Sequence, residues 1–257
     1  MPVSTIKEWK KQFTELLKLP KLVFENEDGL ISDLEYMNEN NELHRNSNLG
    51  PAVISYYRSG QILNKEYYFN GKKHRPTEEG PAVIHYYKNG QIQSEQYWVN
   101  NQRHRPLDEG HAYISYYETG QIDCEKYWVN NQLHRHIKEG PACIYYYENG
   151  QIKCEGYYVN GKKHRPTEEG PAYIWYNKYG RISTKTYWVN GQIHRPTEEG
   201  PARIKYYKNG QIYSEKYCLN NKKHRPIKEG PAYFWYYEIG KLGYTAYFVN
   251  GERVFNI

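Results

Sequence analysis

The stretch NGKKHRPTEEGPAVIHYYKNGQIQSEQYWV, residues 70–99, decides the fold. It opens on Asn70-Gly71 and carries a second Asn-Gly at Asn89-Gly90. A two-residue type I′ hairpin turn needs positive φ at both central positions, and Asn-Gly tolerates it. The chain therefore runs out between the two turns and back over residues 91–100, which gives two strand lines. In the outgoing line Ala82, Ile84 and Tyr86 alternate with His85. The stretch then returns at a fixed interval of thirty, marked by His-Arg at 44–45, 74–75, 104–105, 134–135, 164–165, 194–195 and 224–225. A period of 20–50 residues signals a repeat array, because each unit buries its apolar face only against its neighbours. The expected fold is all-β: an elongated antiparallel meander of seven tandem thirty-residue hairpin repeats with an N-terminal amphipathic helix as cap.

Four segments follow. Residues 1–20 form the capping helix, with Ile6, Trp9, Phe13, Leu16 and Leu17 on one stripe over residues 4–18 and Pro20 as its stop. Residues 21–49 are a degenerate half repeat, 50–249 the tandem repeats, and 250–257 a C-terminal cap in which Val254-Phe255 replaces His-Arg. Only 38% of residues are hydrophobic, and mean hydropathy is −1.00, which alone would suggest disorder. Yet 16% are aromatic and 30 residues are Tyr, a side chain that buries a ring and keeps a wet tip. The composition fits a thin folded sheet.

Both charge signs are interleaved and the net is +6, far weaker than a nucleic-acid-binding stripe. Cys124 and Cys154 share a column with Asn64, Ser94, Thr184, Ser214 and Tyr244, and no CxxC occurs among the four cysteines. They read as small fillers without disulfides, and the expected setting is an intracellular, reducing compartment. The lysine pairs Lys72-Lys73, Lys162-Lys163 and Lys222-Lys223 read as solvated.

The loop Pro76-Thr77-Glu78-Glu79-Gly80-Pro81 cannot lie in a central ladder, so it leaves the sheet and returns, with His-Arg at its base. The forked guanidinium of Arg75 could take a phosphate, but a Glu recurs in the loop of nearly every unit. The favoured reading is a structural ladder: His74, Arg75 and Glu79; His104, Arg105 and Glu109; His164, Arg165 and Glu169; His194, Arg195 and Glu199. In it each Arg pairs with its Glu and each His bonds a loop carbonyl. Column neighbours about 10 Å apart cannot converge on zinc. Glutamates in equivalent copies do not make a split catalytic pair. Hence no catalytic residue, metal, cofactor or small-molecule substrate is expected. The columns that vary are different. Tyr145, Tyr173, Trp175, Lys205, Tyr233 and Trp235 form the candidate interaction face.

The run from 86 to 105, repeated at 146–165, resembles MORN repeats and their variants: two turn signals about a dozen residues apart, paired aromatics and a Gly after each turn. The thirty-residue form, rich in Tyr, Asn, Lys and Ile, is similar to repeat proteins of large DNA viruses of amoebae. The resemblance implies a non-catalytic scaffold for protein–protein contact or self-association, as a homo-oligomer or with a protein partner, in a virion or infection-related assembly. It places the chain in host cytoplasm, viral factory or virion. The alternative is a phospholipid- or nucleic-acid-binding module that uses the Lys, Arg and aromatic columns.

Overall fold

The computed structural model describes residues 22–25 and 29–255, so the capping helix expected over residues 4–18 lies outside the described residues. The chain divides into two compact units, Met1–Pro106 with Ala112–Gly120 and Leu107–His111 with Gln121–Ile257. Among the described residues there is no α-helix. In the first unit an antiparallel sheet runs in chain order through Leu22–Glu25, Ile31–Glu35, Val53–Tyr56, Ile62–Glu66, Val83–Tyr86, Ile92–Gln96 and Tyr113–Tyr116. In the second it runs through Ile122–Lys126, Cys143–Tyr146, Ile152–Gly156, Tyr173–Tyr176, Ile182–Thr186, Arg203–Tyr206, Ile212–Lys216, Tyr233–Tyr236 and Leu242–Val249. The hairpin repeat is the fold.

The two Asn-Gly signals differ in geometry. Asn70 (φ 46°) and Gly71 (φ 71°) are both positive, as a type I′ turn requires. At the second turn only Gly90 is positive (φ 86°), and its N–H donates to the Tyr87 carbonyl at 2.9 Å. This is a tighter helical-type turn closed by a left-handed glycine, and the expected second I′ turn is not formed. The cause is visible in the ladder, where the register shifts between His85 and Tyr86. A bulge of this kind leaves one extra residue on one strand.

Each repeat also holds a small second ribbon that strand alternation does not reveal. After Gln96 the main strand stops, and Trp98–Val99 pairs with Gln102–Arg103 instead. Tyr97 sits at the break: its N–H donates to Ala112 O (2.8 Å), and its carbonyl accepts the His104 N–H (3.1 Å). Tyr97 lies under Arg105 while Trp98 Nε1 donates to Gln96 Oε1, so the consecutive rings stand on opposite faces as period-2 alternation requires. Ribbon tips bond to the ribbon before them, as Asn101 N–H to Lys73 O and Gly191 N–H to Lys163 O, each 2.9 Å.

The Pro-rich loop closes as a single 3-10 turn, Thr77–Glu79, followed by Gly80 at φ 118°. Glycine is required there twice over: the φ is one that L side chains rarely adopt, and a Cβ would stand 3.2 Å from Arg75 Nη1. The core is thin. Ala52, Ala82, Ala112, Ala142, Ala172, Ala202 and Ala232 are wholly buried, whereas Val83 and Cys154 are the largest fully buried side chains among the described residues. Before Gly50 the described residues hold an antiparallel strand pair, Leu22–Glu25 with Ile31–Glu35, a bridge between Met37 and Leu43, and a 3-10 turn at Ser47–Leu49.

Candidate interaction face

The His-Arg ladder is built differently from the sequence expectation. The Arg75 guanidinium lies over the Tyr67 ring at 4.1 Å, and Nη1 donates to Pro81 O at 3.1 Å. Arg165 repeats this over Tyr157 (4.1 Å) with Pro171 O (3.3 Å), and Arg195 over Tyr187 (4.0 Å) with Pro201 O (3.3 Å). Arg105 stacks on Tyr97 at 4.0 Å. The expected ion pair to glutamate is seen at Arg195 Nε and Glu199 Oε2, 3.8 Å apart. For Arg75 and Arg165 the ring and the proline carbonyl hold the fork instead, and Glu79 and Glu169 are exposed.

The histidines also differ. His74 Nδ1 accepts the Asn100 N–H at 3.3 Å, and His164 Nδ1 accepts the Asn190 N–H at 3.1 Å. His194 Nδ1 accepts the Asn220 N–H at 3.4 Å and lies 2.9 Å from Asn220 Oδ1. So the imidazoles of His74, His164 and His194 are acceptors for the next unit's turn, in place of the expected bond to a loop carbonyl. The physical reason is register. The tip of the following ribbon presents its free N–H at the height of the imidazole, and that donor would otherwise be unmatched. His104 stands in the same column of the sequence as His74. Guanidinium Nη1 and imidazole Nδ1 both bond to the frame.

The variable columns occupy one sheet face in the second unit. Cross-strand pairs carry the face from strand to strand: Cys154 faces Trp175, Thr184 faces Lys205, and Ser214 faces Trp235. Tyr145, Tyr173 and Tyr233 belong to the same set through Cys124, Gly156 and Lys216. Trp175 is 40% exposed and Lys205 is exposed. Tyr173 packs 5.7 Å from Trp175, and its hydroxyl lies 3.5 Å from Cys154 Sγ. Trp235 packs edge-on to Tyr237 at 4.6 Å, and Tyr233 lies 6.1 Å from Tyr244. Lys126 Nζ sits 4.9 Å from the Tyr145 ring. The face brings together all six of the candidate residues.

Beyond Lys205, sequence reasoning missed the cations of this face. Lys163 Nζ stands 4.1 Å over Tyr173 and 4.9 Å over Trp188, while its neighbour Lys162 is exposed. Lys223 likewise sits 4.3 Å over Phe248 and 5.9 Å over Tyr233. The pairs expected to be solvated therefore split, one lysine out and one in, as period-2 alternation in the short ribbon dictates. Burial lowers the Lys163 ammonium below its ordinary range. Burial, then Lys223, Arg203 and Lys205, lowers Lys216.

Three glutamates of this unit go elsewhere. Glu125, Glu155 and Glu215 accept the hydroxyls of Tyr146 (2.8 Å), Tyr176 (2.6 Å) and Tyr236 (2.8 Å) on the opposite face. These phenols are pushed up, first by burial and then by the hydrogen bond to glutamate. All four cysteines are buried and free, and burial pushes the Cys143 thiol up to about 12. Among the described residues no three His, Cys, Asp or Glu side chains are grouped as a metal site.

Residues 82–100 and 142–160 match the MORN repeat variant family. Each matched segment begins at the buried alanine and ends at the ribbon tip, so the match covers the hairpin and omits the Pro-rich loop. No curated protein matches the chain.

Proposed function

We propose, from the two matched MORN segments and the geometry around them, that this protein is a non-catalytic scaffold that associates through its sheet, most directly with a second copy of itself. MORN repeats are typically non-catalytic and engage proteins or membranes, which supports the class. One observation carries the partner. Leu242–Val249 pairs with Tyr233–Tyr236 on one side, while on its other side only Tyr247–Val249 is covered, by Glu252–Val254. Among the described residues the stretch 242–246 is an open edge, and beside it Ile239 is 80%, Leu242 49% and Tyr237 48% exposed. An exposed apolar edge is a template for strand addition.

The finer reading, a virion or infection-related component of a large DNA virus, rests on the likeness of the thirty-residue unit alone. Four buried free thiols support a reducing compartment. Light scattering on the full chain tests the scaffold reading. It predicts a salt-insensitive dimer that Ile239→Asp with Leu242→Lys converts to monomer. A wild-type chain that stays monomeric at high concentration contradicts it.

A further inference from the structure

The net charge of +6 averages over two faces that differ sharply in the second unit. On the face that carries Trp175, the cross-strand positions from Cys143 to Ala246 hold no Asp or Glu. Five cations stand there: Lys163, Arg203, Lys205, Lys216 and Lys223. Arg203 faces both Thr186 and Lys216, and Lys205 faces Thr184 and Ser214. Among the described residues none of the five makes an ion pair, whereas glutamates of the same strands are bound to tyrosines on the other side. Burial first, and then the neighbouring Lys223, Arg203 and Lys205, lowers the Lys216 ammonium below its ordinary range. A cleft of about 640 Å³ opens on this face, with Tyr173, Trp175, Trp188, Lys163, Arg203 and Lys205 in its lining.

We infer that this face of the second unit binds single-stranded nucleic acid, with bases stacked on Trp175 and Tyr173 and phosphates at Lys163, Arg203, Lys205 and Lys216. Two features together select the ligand. Unpaired cations without a carboxylate demand an anion, and open aromatic faces beside them demand planar rings. A duplex hides its bases inside, and an acidic peptide or lipid headgroup leaves the rings unused. Neighbouring positions of the Trp175 column repeat every two strands, about 10 Å, so cations and rings recur along the path of an extended strand. This site is separate from the edge at 242–246, and the two ideas fail separately.

Fluorescence anisotropy with labelled ~12-nucleotide oligo-dT and oligo-U on the full chain tests it, at ~50 mM salt. Both probes bind, and the log–log salt slope is about −2 to −3, as three to four phosphate contacts at about −0.7 each require. Trp175→Ala weakens binding about tenfold. Lys205→Glu with Lys216→Glu weakens it further, while Lys185→Glu, a charge reversal on the opposite face, changes it less than about twofold. Lys185 is the proper control because it faces Ile174 and Ile204 and sits 5.9 Å from Tyr206. Circular dichroism confirms that each variant folds. Ile239→Asp with Leu242→Lys keeps full oligonucleotide binding. No binding of either probe overturns the inference. So does an equal loss with Lys185→Glu, or equal competition by duplex, anionic vesicles or polyglutamate.

Discussion

Glu66 and Lys73 in the first unit occupy the same two repeat positions as Lys216 and Lys223 in the second. In the first, Lys73 Nζ meets Glu66 Oε2 at 3.0 Å, and the Tyr68 hydroxyl donates to the same oxygen at 2.9 Å. Asp33 and Glu35 share that face, since they stand opposite Ser55 and Val53. In the second, a cation replaces the glutamate, and among the described residues no carboxylate pairs with it. The hairpin frame is indifferent to this exchange, because the ladder bonds and the Arg-on-Tyr stacks recur unchanged in both. What the difference teaches is that a repeat fixes backbone and frame side chains, then leaves one face free to be neutral in one stretch and basic in another.

The largest effects fall on the frame and are equal in the two units. Arg75→Ala and Arg165→Ala each remove a stacked guanidinium and its bond to a proline carbonyl. Each costs about 2–3 kcal/mol in denaturant unfolding, and the two values agree within ~0.5 kcal/mol. A large inequality breaks the idea of a common frame. Smaller effects fall on the face and differ in sign. Glu66→Lys leaves Lys73 and Tyr68 without their acceptor and costs about 1–2 kcal/mol. Lys216→Glu supplies the missing carboxylate and adds up to ~1 kcal/mol of stability. A loss of stability in that variant contradicts the repulsion described above.

The smallest effect is chemical. The Cys143 thiol, at 9.0 when free, is held up to about 12, so its proton is retained in the fold after the unfolded chain has released it. Its contribution to stability is therefore whole below about pH 9 and is lost as pH rises toward about 12. At pH ~8.5 its alkylation in the native protein is slower than in denaturant by at least about a hundredfold. Comparable rates contradict the buried thiol.

Much of the frame was legible in the residues. Asn70-Gly71 gave the hairpin turn outright, because few pairs accept two positive φ angles. Asn89-Gly90 misled, since the same dipeptide closes a different turn when the ladder slips at Tyr86. The Trp98–Val99 ribbon escaped notice because two residues are too short for a period to show. The Arg–Glu pairing was inferred from supply. It missed the ring eight residues upstream of Arg75, Arg105, Arg165 and Arg195, which becomes a neighbour only once the ribbon doubles back. The aromatic face could be read from period 2. Its basicity could not be read from a whole-chain charge of +6, which adds Glu155 and Glu215 to lysines on the other side of the sheet.

Indole N–H resonances of a chain labelled with ¹⁵N only at tryptophan, followed as oligo-dT is added, test the contrast between the two stretches most directly. Trp175 and Trp188 line the basic cleft, and Trp98 belongs to the first unit, where Arg103 lies 4.9 Å from its ring. The predicted result is that Trp175 and Trp188 shift in a saturable manner while Trp98 stays in place. Equal movement of Trp98, or no movement of Trp175, would contradict a nucleic-acid face confined to the second unit.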